Sequence, residues 1–488
     1  MTTLEVNVRR KLGLVDRGIF GGFVEHLGRC VYGGIFDEGS PLSDERGYRA
    51  DVLDLLKKMK ISVLRWPGGN FVSNYHWRDG VGPMHSRPTR AEIAWGGLES
   101  NRFGTNEFID YCRQLGAEPY ICLNMGTGTL GEALAWVEYC NSDRRTALAQ
   151  QRKEDGCVEP HGVRYWALGN EMYGAGQVGS LSAQEYVAEA KRWARAIKMV
   201  DPTVKLVSCG KNGWSNWDMY VIDGLASLVD MHSVHIYTGS EDYWTNVLAP
   251  HSAERAIDVA SSALRRTAYK QRLPRAPTIA YDEWNVWFRA MTDGLEERYS
   301  VSDALAVATY LNIFVRNCRW VKMANLAQLV NAIAPIVTTP SEASVQPIFY
   351  PFLWHSQGHL DAAVDVYVDG PVVEPPSGHF SRWPHRVNDL APFCVVDATA
   401  TVDSAQSRLA VTLVNRSEEV EPVEIEVRGA EFRQTVGIRT LTASSDGREN
   451  SPVDPVNITE GEEVAKGEKV ALVLPARSFT LLEAALTD

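Results

Sequence analysis

The chain has 488 residues, 45% hydrophobic and 23% charged, an ordinary globular composition but too long for one compact core. Its net charge of −12 and pI of about 5.5 argue against nucleic acid or an anionic membrane as the main partner, and leave neutral carbohydrate compatible. No apolar run reaches about 18 residues, so no membrane span is expected. Met1–Val6 lacks the basic and apolar regions of a signal peptide, and the eight cysteines contain no CxxC pair. Reduced thiols in a cytoplasmic protein are therefore the expectation.

Residues 3–14 (TLEVNVRRKLGL) are strand-like, and the segment 1–17 is expected to join a C-terminal β-sandwich. From about residue 18 to 330, short apolar runs alternate with helical patterns. Strands are predicted at Ile19–Glu25, Ile61–Trp66, Pro119–Asn124, Arg164–Asn170, Val204–Ser208, Met231–Tyr237, Thr278–Trp284 and Met323–Leu329. Helices are predicted at Tyr48–Lys60, Thr105–Leu115, Gly131–Asn141, Ala183–Val200, Ala253–Lys270 and Val301–Cys318. In the first of these, Val52, Leu55, Leu56 and Met59 form one apolar face. This alternation predicts an α/β fold, a (β/α)8 TIM barrel over 18–365. Beyond it, Arg408–Val414, Val423–Val427 and Val470–Leu474 are β-rich with turn residues between them, predicting a β-sandwich over 366–488. The Pro- and Gly-rich stretch Val366–Arg386 reads as a linker or a loop toward the barrel mouth. No GxGxxG follows a strand, no GxxxxGK[ST] occurs, and no His/Cys/Asp cluster has ligand spacing. No nucleotide, metal or other cofactor is expected.

Barrel active sites lie at the C-terminal ends of the strands. The fourth predicted strand ends in Asn170-Glu171 and the seventh in Asp282-Glu283, each placing a glutamate where an apolar run gives out. Two carboxylates facing one pocket are what glycosidic cleavage needs: one donates a proton to the leaving oxygen, the other attacks the anomeric carbon. Each motif alone equally suits a helix cap with a dipole-stabilising carboxylate, and on the residues alone both readings stay open.

Four stretches carry a resemblance: Gly22–Arg29 (GFVEHLGR), Arg65–Ser73 (RWPGGNFVS), Gly169–Met172 (GNEM) and Tyr281–Trp287 (YDEWNVW). Over about residues 18–352 the chain resembles glycoside hydrolase family 51, whose typical members are α-L-arabinofuranosidases. The resemblance implies that Glu171 is the acid/base and Glu283 the nucleophile of a retaining, exo-acting enzyme that removes terminal α-L-arabinofuranosyl residues from oligosaccharides. It implies that Glu25, Arg65, Asn70 and Asn170 surround the −1 sugar and that His235 and Tyr237 stand near the nucleophile. Trp95 and Trp287 would line the pocket, and Gln346 would bond the sugar. Gly68-Gly69 suits either close approach of backbone to sugar or a tight turn. An oligomer is implied as well, hexamers being common in the family.

The chain departs from the family pattern after Met172. Members commonly continue Asp-Gly-Pro-Trp-Gln, whereas here the run is Tyr173-Gly174-Ala175-Gly176-Gln177, without a large aromatic near 176. After the Gly-Gly-Asn motif, Ser73–Gly80 (SNYHWRDG) replaces the common Ser-Gly-Tyr-Asn-Trp-Glu-Asp-Gly. The changed wall bears on the leaving group and the exact furanose, so β-D-galactofuranosidase and endo-β-glucanase are the rival activities. A non-catalytic carbohydrate-binding protein is the rival of another class, and retention of both glutamates argues against it.

Overall fold

The computed structural model describes residues 1–290, 295–376, 386–443 and 456–487. Eight parallel strands close into a barrel: β1 (Gly21–Phe23), β2 (Val63–Trp66), β3 (Glu118–Cys122), β4 (Tyr165–Leu168), β5 (Lys205–Ser208), β6 (Met231–Thr238), β7 (Thr278–Val286) and β8 (Val321–Ala327). Neighbours follow chain order, and β8 closes on β1 through Asn325 opposite Gly21. The barrel floor is filled by small and medium side chains such as Val63, Cys122, Ala167, Val207, Ala280 and Met323. It is a packed core and not a channel.

The first strand is shorter than the apolar run predicts. Asp16 accepts a hydrogen bond from the Gly18 N–H at 2.9 Å and caps a 3-10 turn over Arg17–Phe20, which uses up the start of that run. Helices form at Ala50–Lys58, Thr105–Leu115, Leu130–Asn141, Ala183–Val200, Ser252–Lys270 and Val301–Arg316, as the apolar faces require. Others were not anticipated, among them Asn216–Leu225 and Phe349–Gly358. The former starts at a capping box between Ser215 and Asp218 and carries no clean apolar stripe.

The C-terminal strands and the N-terminal one make a single curled sheet. Thr2–Leu14 lies between Ala362–Asp369, its antiparallel partner, and Glu421–Arg428, its parallel one. Leu4, Val6 and Val8 point from it into a core shared with Val411, Leu413, Ile425 and Leu482. The strand Ala362–Asp369 runs across the expected division at 365 and pairs wholly within this sheet. In the stretch read as a linker, Val372–Val373 pairs with Phe393–Cys394, while 377–385 lie outside the described residues.

Barrel and sheet are joined through buried charge. Arg316, at the end of helix Val301–Arg316, donates to Asp397 Oδ1 at 2.9 Å and to Glu254 at 2.8 Å. Asn312, one turn earlier, donates to Asp397 Oδ2 at 2.7 Å and accepts from Thr412 at 2.6 Å. Asp397 and Thr412 belong to sheet strands Val396–Val402 and Arg408–Asn415.

Candidate active site

A cavity of about 400 Å³ opens at the C-terminal ends of the barrel strands. Glu25, Asn70, Trp95, Asn170, Glu171, His235, Tyr237, Glu283 and Trp287 all line it. Arg65 lies beneath, fully buried on β2. The chain positions these groups by how each strand ends. At β4, Gly169 (φ 78°) and Glu171 (φ 42°) take left-handed backbone, turning the chain sharply and presenting the Glu171 carboxylate across the mouth. For a non-glycine residue that conformation costs about 1–3 kcal/mol.

The two glutamates have different surroundings. Glu283 is only 7% exposed; its Oε1 accepts from Arg65 Nη1 at 2.5 Å and its Oε2 from Tyr237 Oη at 2.9 Å. Glu171 is 30% exposed and accepts from Tyr173 Oη at 2.9 Å, with His235 Nδ1 at 3.0 Å from the same oxygen. Burial pushes its pKa up, but the His235 bond and charge, Tyr173 and Arg65 outweigh it and hold it below the usual range. One oxygen of each glutamate and a His235 ring nitrogen all lie within 4.8 Å of one another.

Arg65 also donates to Asn170 Oδ1 at 2.6 Å, which fixes that amide and turns its Nδ2 away. Nδ2 is buried without a protein acceptor and lies beside Gly69, whose backbone also approaches Glu25 Oε2 and Glu283 Oε1. A Cβ at residue 69 would stand 3.2–3.5 Å from these three atoms, and one at residue 68 would stand 2.6 Å from Glu25 Cγ. Close approach, not a positive φ, is therefore what the Gly-Gly pair supplies here. Glu25 accepts from Phe71 N at 3.1 Å, Trp95 Nε1 at 2.9 Å and Gln328 Nε2 at 3.1 Å. Burial nonetheless dominates and raises its pKa to about 7.

Gln346 is placed differently from the expectation. It does not line the cavity: its amide donates to the Glu297 and Ala334 carbonyls and accepts from Tyr299 N, leaving nothing to offer a sugar. The glutamine that does reach the cavity is Gln328, at the end of β8. Tyr173, Lys211, Asp282 and Tyr120 also escaped the sequence reading. Tyr173 sits in the very run that departs from the family, and its hydroxyl signals nothing until the fold brings it to Glu171. Glu171, His235 and Glu283 converge on one point, and the burial of His235 is outweighed by Glu283, Asp282 and Glu171, raising its pKa to about 10.

The chain matches two α-L-arabinofuranosidase domain families, domain 1 over residues 55–255 and the C-terminal domain over 282–478. It is 42% identical over 499 residues to a probable α-L-arabinofuranosidase C of Aspergillus clavatus, covering 98% of this chain and 96% of that one. The solved family 51 α-L-arabinofuranosidase of Thermotoga petrophila superposes with a TM-score of 0.90 at 37% identity, covering 99% of this chain and 100% of the other. The chain belongs to glycoside hydrolase family 51. It is accordingly a glycoside hydrolase built on a TIM barrel with a C-terminal sheet domain. A Streptomyces lividans relative named as an intracellular exo-α-(1→5)-L-arabinofuranosidase is 35% identical over 492 residues, covering 95% of this chain and 72% of that one. Within this family 51 site, the run after Met172 delivers the Tyr173 hydroxyl to Glu171.

Proposed function

We propose that the chain is a retaining, exo-acting α-L-arabinofuranosidase with Glu283 as nucleophile and Glu171 as acid and then base. The observation that carries this reading is the approach of the two carboxylates within 4.8 Å across the cavity. Retaining enzymes keep theirs about 5–5.5 Å apart, while inverting ones leave room for a water. In the first step a Glu283 oxygen bonds the anomeric carbon as the bond to the leaving oxygen breaks, and Glu171 gives that oxygen its proton. In the second, Glu171 takes a proton from water, the water oxygen bonds the anomeric carbon, and the ester to Glu283 breaks.

The division of labour follows the surroundings. Arg65 and Tyr237 hold the enclosed Glu283 carboxylate in place for attack, and the more exposed Glu171 faces the side from which a leaving group departs. Asn170 Nδ2, already oriented by Arg65, is placed to donate to a sugar hydroxyl. Glu25 and Asn70 meet the remaining hydroxyls, with Trp95 and Trp287 as walls. Eight unpaired thiols support a reducing, cytoplasmic setting. Assembly into a homo-oligomer is proposed on the family resemblance, and sedimentation velocity decides it.

The test is hydrolysis of 4-nitrophenyl α-L-arabinofuranoside followed by proton NMR. Release of the α-anomer before mutarotation is expected. First appearance of the β-anomer overturns retention. Turnover of a β-D-galactofuranoside or a β-glucan with none of the arabinofuranoside overturns the substrate.

A further inference from the structure

Two consecutive acids of β7, Asp282 and Glu283, both turn into the barrel, where a regular strand would send one of them out. The register shows how. Against β6, Ala280 pairs with Ser233 and Glu283 with His235; against β8, Tyr281 pairs with Ala324 and Trp284 with Leu326. Between these pairs β7 carries one residue more than either neighbour, a β-bulge between Tyr281 and Glu283, which against β8 offsets an opposite shift between Ile279 and Ala280. Tyr281 and Trp284 on either side pack outward on Phe314, with ring centroids 4.8 and 5.1 Å away.

The inward Asp282 is fully enclosed and makes no contact with the cavity. Its Oδ2 accepts from Tyr120 Oη at 2.7 Å and its Oδ1 from Ser233 Oγ at 2.5 Å. Arg65 Nε stands 3.7 Å from Oδ2, and His235 Nε2 stands 3.3 Å from Oδ1. The other nitrogen of His235, Nδ1, stands 3.0 Å from Glu171 and 3.5 Å from Glu283. One imidazole therefore spans the distance from a buried acid to both glutamates of the reaction.

We propose that Asp282 is a positioning residue for both chemical steps: it fixes a proton on His235 Nε2, so that the Nδ1–H of the imidazolium follows the negative charge from Glu283 to Glu171. The proposal rests on the acid/base and nucleophile reading given above. In the empty site Nδ1 stands nearer Glu171, whose pKa is lowered; for the first step Glu171 takes up the proton it will donate, and Nδ1–H then serves Glu283. Once the ester forms, the charge is on Glu171 and the same donor serves it. No proton leaves the imidazole in either step; only a hydrogen bond changes partner. An imidazolium enclosed this deeply needs a fixed counter-charge that neither step consumes, and Asp282 is the carboxylate of the three that never reacts. The titratable groups facing this pair are Arg65 on β2, Tyr120 and Cys122 on β3, Glu171 after β4, Cys209 after β5, and Glu283. Of these, Arg65 alone opposes the imidazolium by charge.

The test has two parts. Nitrogen NMR of the wild-type protein is expected to show both His235 ring nitrogens protonated at about pH 8; a neutral ring there overturns the proposal. In Asp282→Asn, turnover is followed against pH with a dinitrophenyl arabinofuranoside, whose good leaving group makes the second step limiting. Glu171 acts unprotonated in that step, so an alkaline limb reports His235. The variant is expected to show that limb about one to three pH units below the wild type, with the imidazole titration moving alongside. A loss that is equal at every pH, with the His235 titration unmoved, assigns Asp282 a merely structural part and overturns the proposal. The NMR measurement needs no substrate and no variant. It decides this point even if Asp282→Asn does not fold or the arabinofuranoside is not turned over.

Discussion

At Glu171 the same contacts that hold the carboxylate also tune it. On the proposed roles, removing Glu171 leaves Glu283 to attack, so a substrate with a good leaving group still forms the ester. Glu171→Ala is expected to slow substrates with poor leaving groups by about 10²–10⁴-fold and dinitrophenyl substrates less, with azide restoring part of the rate. Equal losses on both contradict the acid role. Tyr173 donates to Glu171 and so stabilises its ionised form. In Tyr173→Phe the Glu171 pKa rises from its lowered position, and the protonated acid persists to higher pH. With a poor leaving group, the alkaline limb of kcat/KM should therefore move upward; a downward shift would show that the hydroxyl serves another group. The two glutamates were legible because each sits where an apolar run ends. Asp282 was not, because alternation from Ala280 sends it inward only if Glu283 turns out, and the extra residue that turns both inward exists only in the pairing register.

Among the elements, helix Val301–Arg316 has a double duty. It backs β7 through Phe314 and Tyr310, and its last two turns reach the C-terminal sheet through Asn312 and Arg316. Asp397 is the anion on which these contacts meet; burial alone would raise its pKa, but Arg316 and Arg416 hold it below the usual range. Removing it leaves Arg416 enclosed without its nearest counter-charge and Arg316 with Glu254 alone. Asp397→Asn is expected to cost about 3–5 kcal/mol, read as a lower denaturant midpoint. Because the folded pKa lies below the unfolded one, this contribution is complete above about pH 4 and fades as pH falls through the lowered folded value. An acid-induced loss of stability in the wild type that is smaller in the variant checks the sign. The helix itself was plain from its apolar run, whereas the network was not: Asn312, Arg316 and Asp397 are ordinary polar residues until two domains meet. Gln346 shows the converse, since its motif pointed to the sugar while its amide is spent on backbone groups.

For the molecule as a whole, barrel and sheet share one chain end. Thr2–Leu14 fills an interior place in the C-terminal sheet and leads into the barrel. Deleting residues 1–14 removes Leu4, Val6 and Val8 from the sheet core and separates the strands on either side. The full chain is expected to unfold in a single calorimetric transition, and the truncated one to lose that transition and arabinofuranosidase activity together. Full activity after the deletion would show that the barrel stands alone. The alternating pattern of this strand was readable, and so was its mismatch with the barrel that follows. Its two partners were not, because a strand's sequence carries its faces but not the identity of its neighbours.

That placement also sets an order of events during synthesis. Thr2 finds its partner Glu421 only 419 positions later in the chain. At about 5–20 residues per second, the strand waits roughly 20–80 s on the ribosome with its apolar face unpaired. Three consecutive cations, Arg9, Arg10 and Lys11, follow that face at once, a charge block of the kind that discourages premature pairing between nascent chains. The barrel can close while the strand is idle, so a segment translated before the barrel is among the last to be used.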